Sequence, residues 1–162
     1  MRHVRDADGK VYVHDFLAAE RFEALERGLG QRDPNGTDEA SAPSSITGFF
    51  LYAPPDFHTE IDVEIFNDPS GRVLFTTYAN GEQTNTVEKK LPFDATAAFH
   101  EYRIDFYPTR AEFSVDGRLL HTFRDGLPGD SMKLMVNAWY PEWLPGKEPR
   151  EDGYTYVDWI QR

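Results

Sequence analysis

The sequence has no cysteine among its 162 residues. A disulfide framework, a thiolate nucleophile and a Cys-ligated zinc are therefore excluded, while the compartment is left open. It also lacks any apolar run near the roughly 18 residues that a membrane-spanning helix requires. The opening Met1-Arg2-His3-Val4-Arg5-Asp6 has no apolar core of the kind a signal peptide carries. The protein then stays inside, its leader is absent from this chain, or export takes another route. Basic residues are in the minority, with 17 Lys and Arg against 28 Asp and Glu, a net charge of −11. That field argues against nucleic acid and against anionic membranes as partners, and favours a neutral or cationic one.

Aromatic residues are plentiful, with twelve Phe, eight Tyr and three Trp. Flat rings in surplus line grooves by stacking on flat ligands, or they fill a sandwich core; composition leaves both open. The length suits a single domain over residues 1–162, here expected to act as a monomer.

Along the chain, Lys10-Val11-Tyr12-Val13-His14 alternates after the turn signal Asp8-Gly9 and reads as a strand. Residues 15–28 place Phe16, Ala19, Phe22 and Leu25 at helical spacing, with Asp15 as a cap and Gly28 as a stop, which predicts a short helix. Arg21 to Glu26 also alternates, so a strand there stays open. Residues 28–45 are broken by Gly, Pro and Ser and read as a long loop. From Ile46 onward strand signals recur: Ile46–Tyr52, Glu60–Phe66, Val73–Tyr78, Thr86–Lys90, His100–Phe106, Arg110–Val115, Leu119–Phe123, Met132–Trp139 and Tyr154–Gln161. Turn signals such as Asn80-Gly81 and Asp116-Gly117 separate them. Many short strands with regular turns predict an all-β sandwich or jelly roll.

One strand stands out. In Glu60-Ile61-Asp62-Val63-Glu64-Ile65-Phe66 the period of two puts three carboxylates on one face and three branched aliphatics on the other. The acidic face reads as a solvated surface, a calcium site, or acid/base chemistry. Geometry favours the last. Residues i and i+4 on a strand are roughly 13 Å apart at Cα. Two glutamates leaning together close that to about 5 Å, the separation that double-displacement glycoside hydrolysis requires. The shorter Asp62 between them is placed to hydrogen-bond one Glu and split the pair's pKa values.

Ser44 to Tyr52 followed by Glu60 to Phe66 resembles glycoside hydrolase family 16, which includes lichenases, laminarinases and xyloglucan transglycosylases. Further stretches follow in register: Val73 to Gly81; Phe93 to Tyr102, similar to "F-D-x-S-x-x-F-H-x-Y"; Phe113-Ser114-Val115-Asp116-Gly117, similar to "W-Y-V-D-G"; Met135 to Trp139 with Trp143-Leu144, similar to "M-N-L-W…W-L"; and Tyr156 to Ile160. The resemblance covers about 41–162. Residues 1–45 match poorly, although Arg21-Phe22-Glu23-Ala24 resembles the family's "G-R-F-E-A-R" strand, which would replace the helix.

The resemblance implies a concanavalin-like β-jelly-roll sandwich of two antiparallel sheets. It implies retaining hydrolysis of a β-1,3-1,4- or β-1,3-glucan with Glu60 as nucleophile, Glu64 as general acid/base and Asp62 assisting Glu60. The unbroken E-x-D-x-E form is similar to the lichenases. Trp139 and Trp143 would line sugar subsites, and Asn137, Tyr78 and His58 would contact sugar, Asn137 alternatively a catalytic carboxylate. Thr76 and Thr77 stand where lichenases present polar and aromatic groups. No cofactor is required; Asp158 matches an aspartate that helps hold a structural calcium in some members. The partner implied is a polysaccharide or oligosaccharide, and secretion follows the family habit. A carbohydrate-binding module without turnover, and a transglycosylase using the same residues, are the alternatives.

Overall fold

The computed structural model describes residues 3–5, 11–13, 20–28, 45–55, 58–144 and 155–161. It describes side chains throughout 45–55 and 58–144, and at Thr155, Val157 and Ile160. Twelve strands run through these segments: β1 (His3–Arg5), β2 (Val11–Val13), β3 (Glu20–Gly28), β4 (Ile46–Ala53), β5 (Thr59–Phe66), β6 (Arg72–Ala79), β7 (Glu82–Lys90), β8 (His100–Tyr107), β9 (Arg110–Val115), β10 (Arg118–Phe123), β11 (Lys133–Trp139) and β12 (Thr155–Gln161). They form a seven-stranded sheet in the order β1-β2-β11-β4-β5-β6-β7 and a five-stranded sheet in the order β10-β9-β8-β3-β12. Every described pairing is antiparallel. Among the described residues there is no helix long and apolar enough to cross a membrane.

The helix expected over 15–28 is not there from Glu20 onward. Residues 20–28 are β3, hydrogen-bonded between β8 and β12. Pairing on both sides satisfies the backbone groups of this segment, and that outweighs a weak helical stripe. Residues 15–19 and the loop at 29–44 lie outside the described residues.

The core follows from alternation. Phe49 and Leu51 of β4, Ile61, Val63 and Ile65 of β5, and Val73 and Phe75 of β6 point inward from one sheet. Tyr102 and Ile104 of β8, with Ala111, Phe113 and Val115 of β9, meet them from the other. Phe75 stacks on Phe113 across the interface at 4.6 Å between ring centroids, and Phe123 meets Phe113 edge-on at 5.5 Å. Phe75→Ala should cost about 3–5 kcal/mol, since it removes one ring of a fully buried stack. Urea unfolding of the two proteins measures this directly.

Turn chemistry sets the hairpins on either side of that core. Asn80-Gly81 joins β6 to β7 and Asp116-Gly117 joins β9 to β10, and in each both residues have positive φ. That is the mirror-image turn that matches strand twist.

Candidate active site

Antiparallel register builds the floor of a cleft on the outer face of the larger sheet, in three rows. Asn137, Gly48, Glu64 and Leu74 lie side by side on β11, β4, β5 and β6. Phe50, Asp62, Thr76 and Thr86 form the next row, and Glu60, Tyr78 and Gln83 the third. The cleft holds about 630 Å³, and Trp139, Glu142 and Trp143 complete its wall. Each β5 carboxylate reaches this face because Ile61, Val63 and Ile65 are drawn into the core.

The carboxylates repel one another where little water can screen them. Asp62 is 7% exposed and its carboxyl is pushed well above the usual range. Burial is the main cause, followed by the charges of Glu60 and Glu64; a hydrogen bond with Glu60 adds to it. The protonated form of Asp62 is thus favoured, and in that form it donates to the Glu60 carboxylate. Glu64 is raised to about 7, by burial first and by the Glu60 charge second. The Tyr78 hydroxyl is also raised, by burial and then by Asp62, Glu60 and Glu64 in that order. The arrangement separates roles. Glu64 is a carboxyl that can hold and release a proton near neutrality, while Glu60 receives a hydrogen bond from its neighbour.

One end of the cleft is aromatic. Trp139 and Trp143 are 38% and 54% exposed, so neither is core packing. Their rings meet edge-on at 6.3 Å, and Trp143 meets Phe66 at 6.2 Å. The Arg72 guanidinium covers Phe66 at 3.9 Å and pairs with Glu88 at 2.8 Å.

Of the residues singled out from sequence, Glu60, Asp62, Glu64, Tyr78, Asn137, Trp139 and Trp143 come together in this cleft. His58 is not on its wall. Its Nδ1 lies 3.2 Å from Thr59 Oγ1, and that hydroxyl donates to Asp130 at 3.0 Å. Thr76 faces the cleft, but Thr77 is fully buried on the inner face, where Asn85 Nδ2 donates to its hydroxyl at 2.9 Å. Asp158 lies on β12, and its side chain is outside the described residues. Among the described residues no group of three or more His, Cys, Asp or Glu is arranged to hold a metal ion. Sequence reasoning missed Gly48, Phe50, Leu74, Gln83, Thr86 and Glu142. For all but Glu142, the signal would have been the pairing register.

The sequence model of Glycosyl hydrolases family 16 matches residues 39–161. The chain belongs to glycosyl hydrolase family 16. Within it, the chain is 32% identical to a beta-glucanase of Bacillus subtilis (strain 168) over 123 residues, covering 72% of this chain and 51% of the relative. It is 34% identical to a beta-glucanase of Bacillus licheniformis over 106 residues, covering 61% and 44%. The chain thus spans about half the length of the curated relatives it matches. Among solved structures, Bacillus licheniformis beta-glucanase superposes with a TM-score of 0.75 at 22% identity, covering 98% of this chain and 80% of that one. A lichenase from a mouse hindgut metagenome gives 0.77 at 23%, covering 93% and 69%. A Crh5 transglycosylase in complex with NAG gives 0.73 at 16%, covering 98% and 70%. These likenesses show a family 16 jelly roll with two antiparallel sheets.

Proposed function

We propose that this family 16 chain is a retaining endo-β-glucanase acting on a β-1,3-1,4- or β-1,3-glucan. The observation that supports this most is the β5 trio. Glu60, Asp62 and Glu64 line one cleft, with the Asp62 carboxyl raised well above the usual range beside Glu60 and Glu64 poised near neutrality.

The proposed chemistry uses two displacements. Glu60 carboxylate attacks the anomeric carbon, the glycosidic C–O bond breaks, and Glu64 gives its proton to the departing oxygen. Glu64, now a carboxylate, takes a proton from water. The water oxygen attacks the same carbon and Glu60 is released. Asp62 tempers the charge on Glu60 through its hydrogen bond. No metal is needed for these steps; a structural calcium near Asp158 remains a proposal about stability. The cleft's carboxylates, with no Lys or Arg among the described lining residues, suit a neutral glycan. Secretion fits a polymeric substrate and is proposed on that ground.

Proton NMR of lichenan or laminarin digests tests the reading. The β-anomer should accumulate first. First formation of the α-anomer contradicts retention. Oligosaccharide binding with no product on long incubation identifies a binding module instead. Lengthened products in the presence of acceptor identify transglycosylation.

The exposed indoles are the proposed sugar platform. Trp139→Ala should raise KM about tenfold while leaving the pH profile in place, because it removes stacking and not acid/base groups. Initial-rate kinetics against pH checks this.

A further inference from the structure

Gly48 sits in the middle of β4, where a glycine costs stability by leaving nothing to pack. Its backbone does not demand one, since Gly48 is not among the residues with positive φ. The reason for the glycine is space. A Cβ built at Gly48 would lie 2.4 Å from Asn137 Oδ1. Non-bonded heavy atoms pack at about 3.5–4.0 Å, so any other residue would drive the carboxamide away.

The register shows what the space is for. Asn137 pairs with Gly48, and Gly48 pairs with Glu64. Neighbouring strands are spaced about 4.8 Å apart, so Asn137 and Glu64 start roughly 9–10 Å apart at the backbone. Asn137 lies over the glycine, toward Glu64. Its Oδ1 is buried there without a hydrogen-bond partner, an expensive state for a carbonyl oxygen in a folded protein. All three residues line the cleft.

We propose that Gly48 is a positioning residue: its missing side chain lets the Asn137 carboxamide lean over β4, so that Asn137 and Glu64 grip the same sugar unit from opposite sides. Oδ1 is turned in against Gly48, which leaves Nδ2 as the carboxamide group that donates to a hydroxyl oxygen of that sugar. The width of the cleft beside Glu64 is then fixed by an absent methyl group on a strand that carries no charged group of its own. This rests on the glycan-cleaving reading of the cleft.

The test is a double-mutant cycle on lichenan or laminarin hydrolysis, with melting temperatures measured alongside. Gly48→Ala should lower kcat/KM tenfold or more. The alkaline limb of its pH profile should not move, because the effect passes through Asn137. Asn137→Ala should cause a comparable loss. Gly48→Ala combined with Asn137→Ala should be no more than twofold worse than Asn137→Ala alone, and should melt above Gly48→Ala, because the obstructing carboxamide is gone. The pair therefore keeps the test valid even where Gly48→Ala alone folds poorly. Losses that multiply in the double variant overturn the proposal, as does an alkaline limb displaced by Gly48→Ala, which would mean direct action on Glu64. A wild-type protein that cleaves glucan while Gly48→Ala stays within twofold of it overturns the role of Gly48 alone. A wild-type protein that neither binds nor cleaves glucan overturns the function and this role together.

Discussion

Glu60→Gln should lower kcat on lichenan or laminarin by roughly 10³-fold or more, whatever the leaving group, because no bond to the anomeric carbon can form without the carboxylate. Glu64→Gln should cost about 10²–10⁴-fold on polysaccharide, the usual worth of a positioned acid/base. The two losses differ in kind. An aryl β-glucoside oligomer with an acidic phenol departs without a proton, so its first displacement should survive in Glu64→Gln as a burst of phenol. It should show no burst in Glu60→Gln. Equal behaviour of the two variants on the aryl substrate would remove the assignment of separate roles. The wild-type profile carries the same signature. Glu64 must be protonated at the start of the cycle and is poised at about 7, so kcat/KM should fall as pH rises past that value.

The second large effect is on stability. Glu64 is raised in the folded protein from an ordinary value of 4.5 to about 7. Between these values the folded chain holds a proton that the unfolded chain has released, so stability falls as pH rises through this window. The folded state is unpenalised below the lower value and fully penalised above the upper one. Glutamine removes the titration, so Glu64→Gln should be more stable than wild type at pH 8 by about 1–3 kcal/mol and gain nothing at pH 4. Asp62, buried beside two carboxylates, acts in the same direction. Urea titrations at the two pH values decide the matter. A stability difference that is the same at both would mean the change acts through packing. A site that lowers the stability of its own fold is what chemistry on clustered carboxylates requires.

Much of the fold was legible because strands that bury one face alternate. Arg110–Val115 was read at its observed bounds, and Glu60–Phe66 lacked one residue, Thr59. Beyond the three-residue β1, which was not read as a strand, two segments resisted for different reasons. Residues 20–28 satisfy both periods, with Phe22 and Leu25 at helical spacing and Arg21 to Glu26 alternating. Only their place between β8 and β12 decides the matter, and that is not local information. β7 begins at Glu82, four residues before Thr86, because Glu82-Gln83-Thr84-Asn85 is polar on both faces of an edge strand. A strand that buries little carries no hydrophobic period to detect.

The site divides in the same way. Its acidic strand was legible because all three carboxylates share one strand and one face. Phe50, Leu74 and Thr86 reach the cleft only through pairing with β5 or β6, and a single sequence does not reveal register. Gly48 likewise enters its row by pairing with Glu64, and no hydrophobic pattern records a contribution that consists of a missing side chain. His58, adjacent to the motif in sequence, turns instead toward Thr59 at the end of the strand. Nearness along the chain proved a poorer guide to the cleft than the row across it.

The most direct test of the account is to trap the covalent intermediate. An activated 2-deoxy-2-fluoro β-oligoglucoside slows both displacements, and a good leaving group restores the first, so the glycosyl-enzyme accumulates. Intact-mass and peptide mass spectrometry should then find one glycosyl unit attached to the peptide bearing Glu60, and none on Glu60→Gln. Steady hydrolysis of glucan with no adduct, or an adduct carried by Glu64 or Glu142, would contradict it.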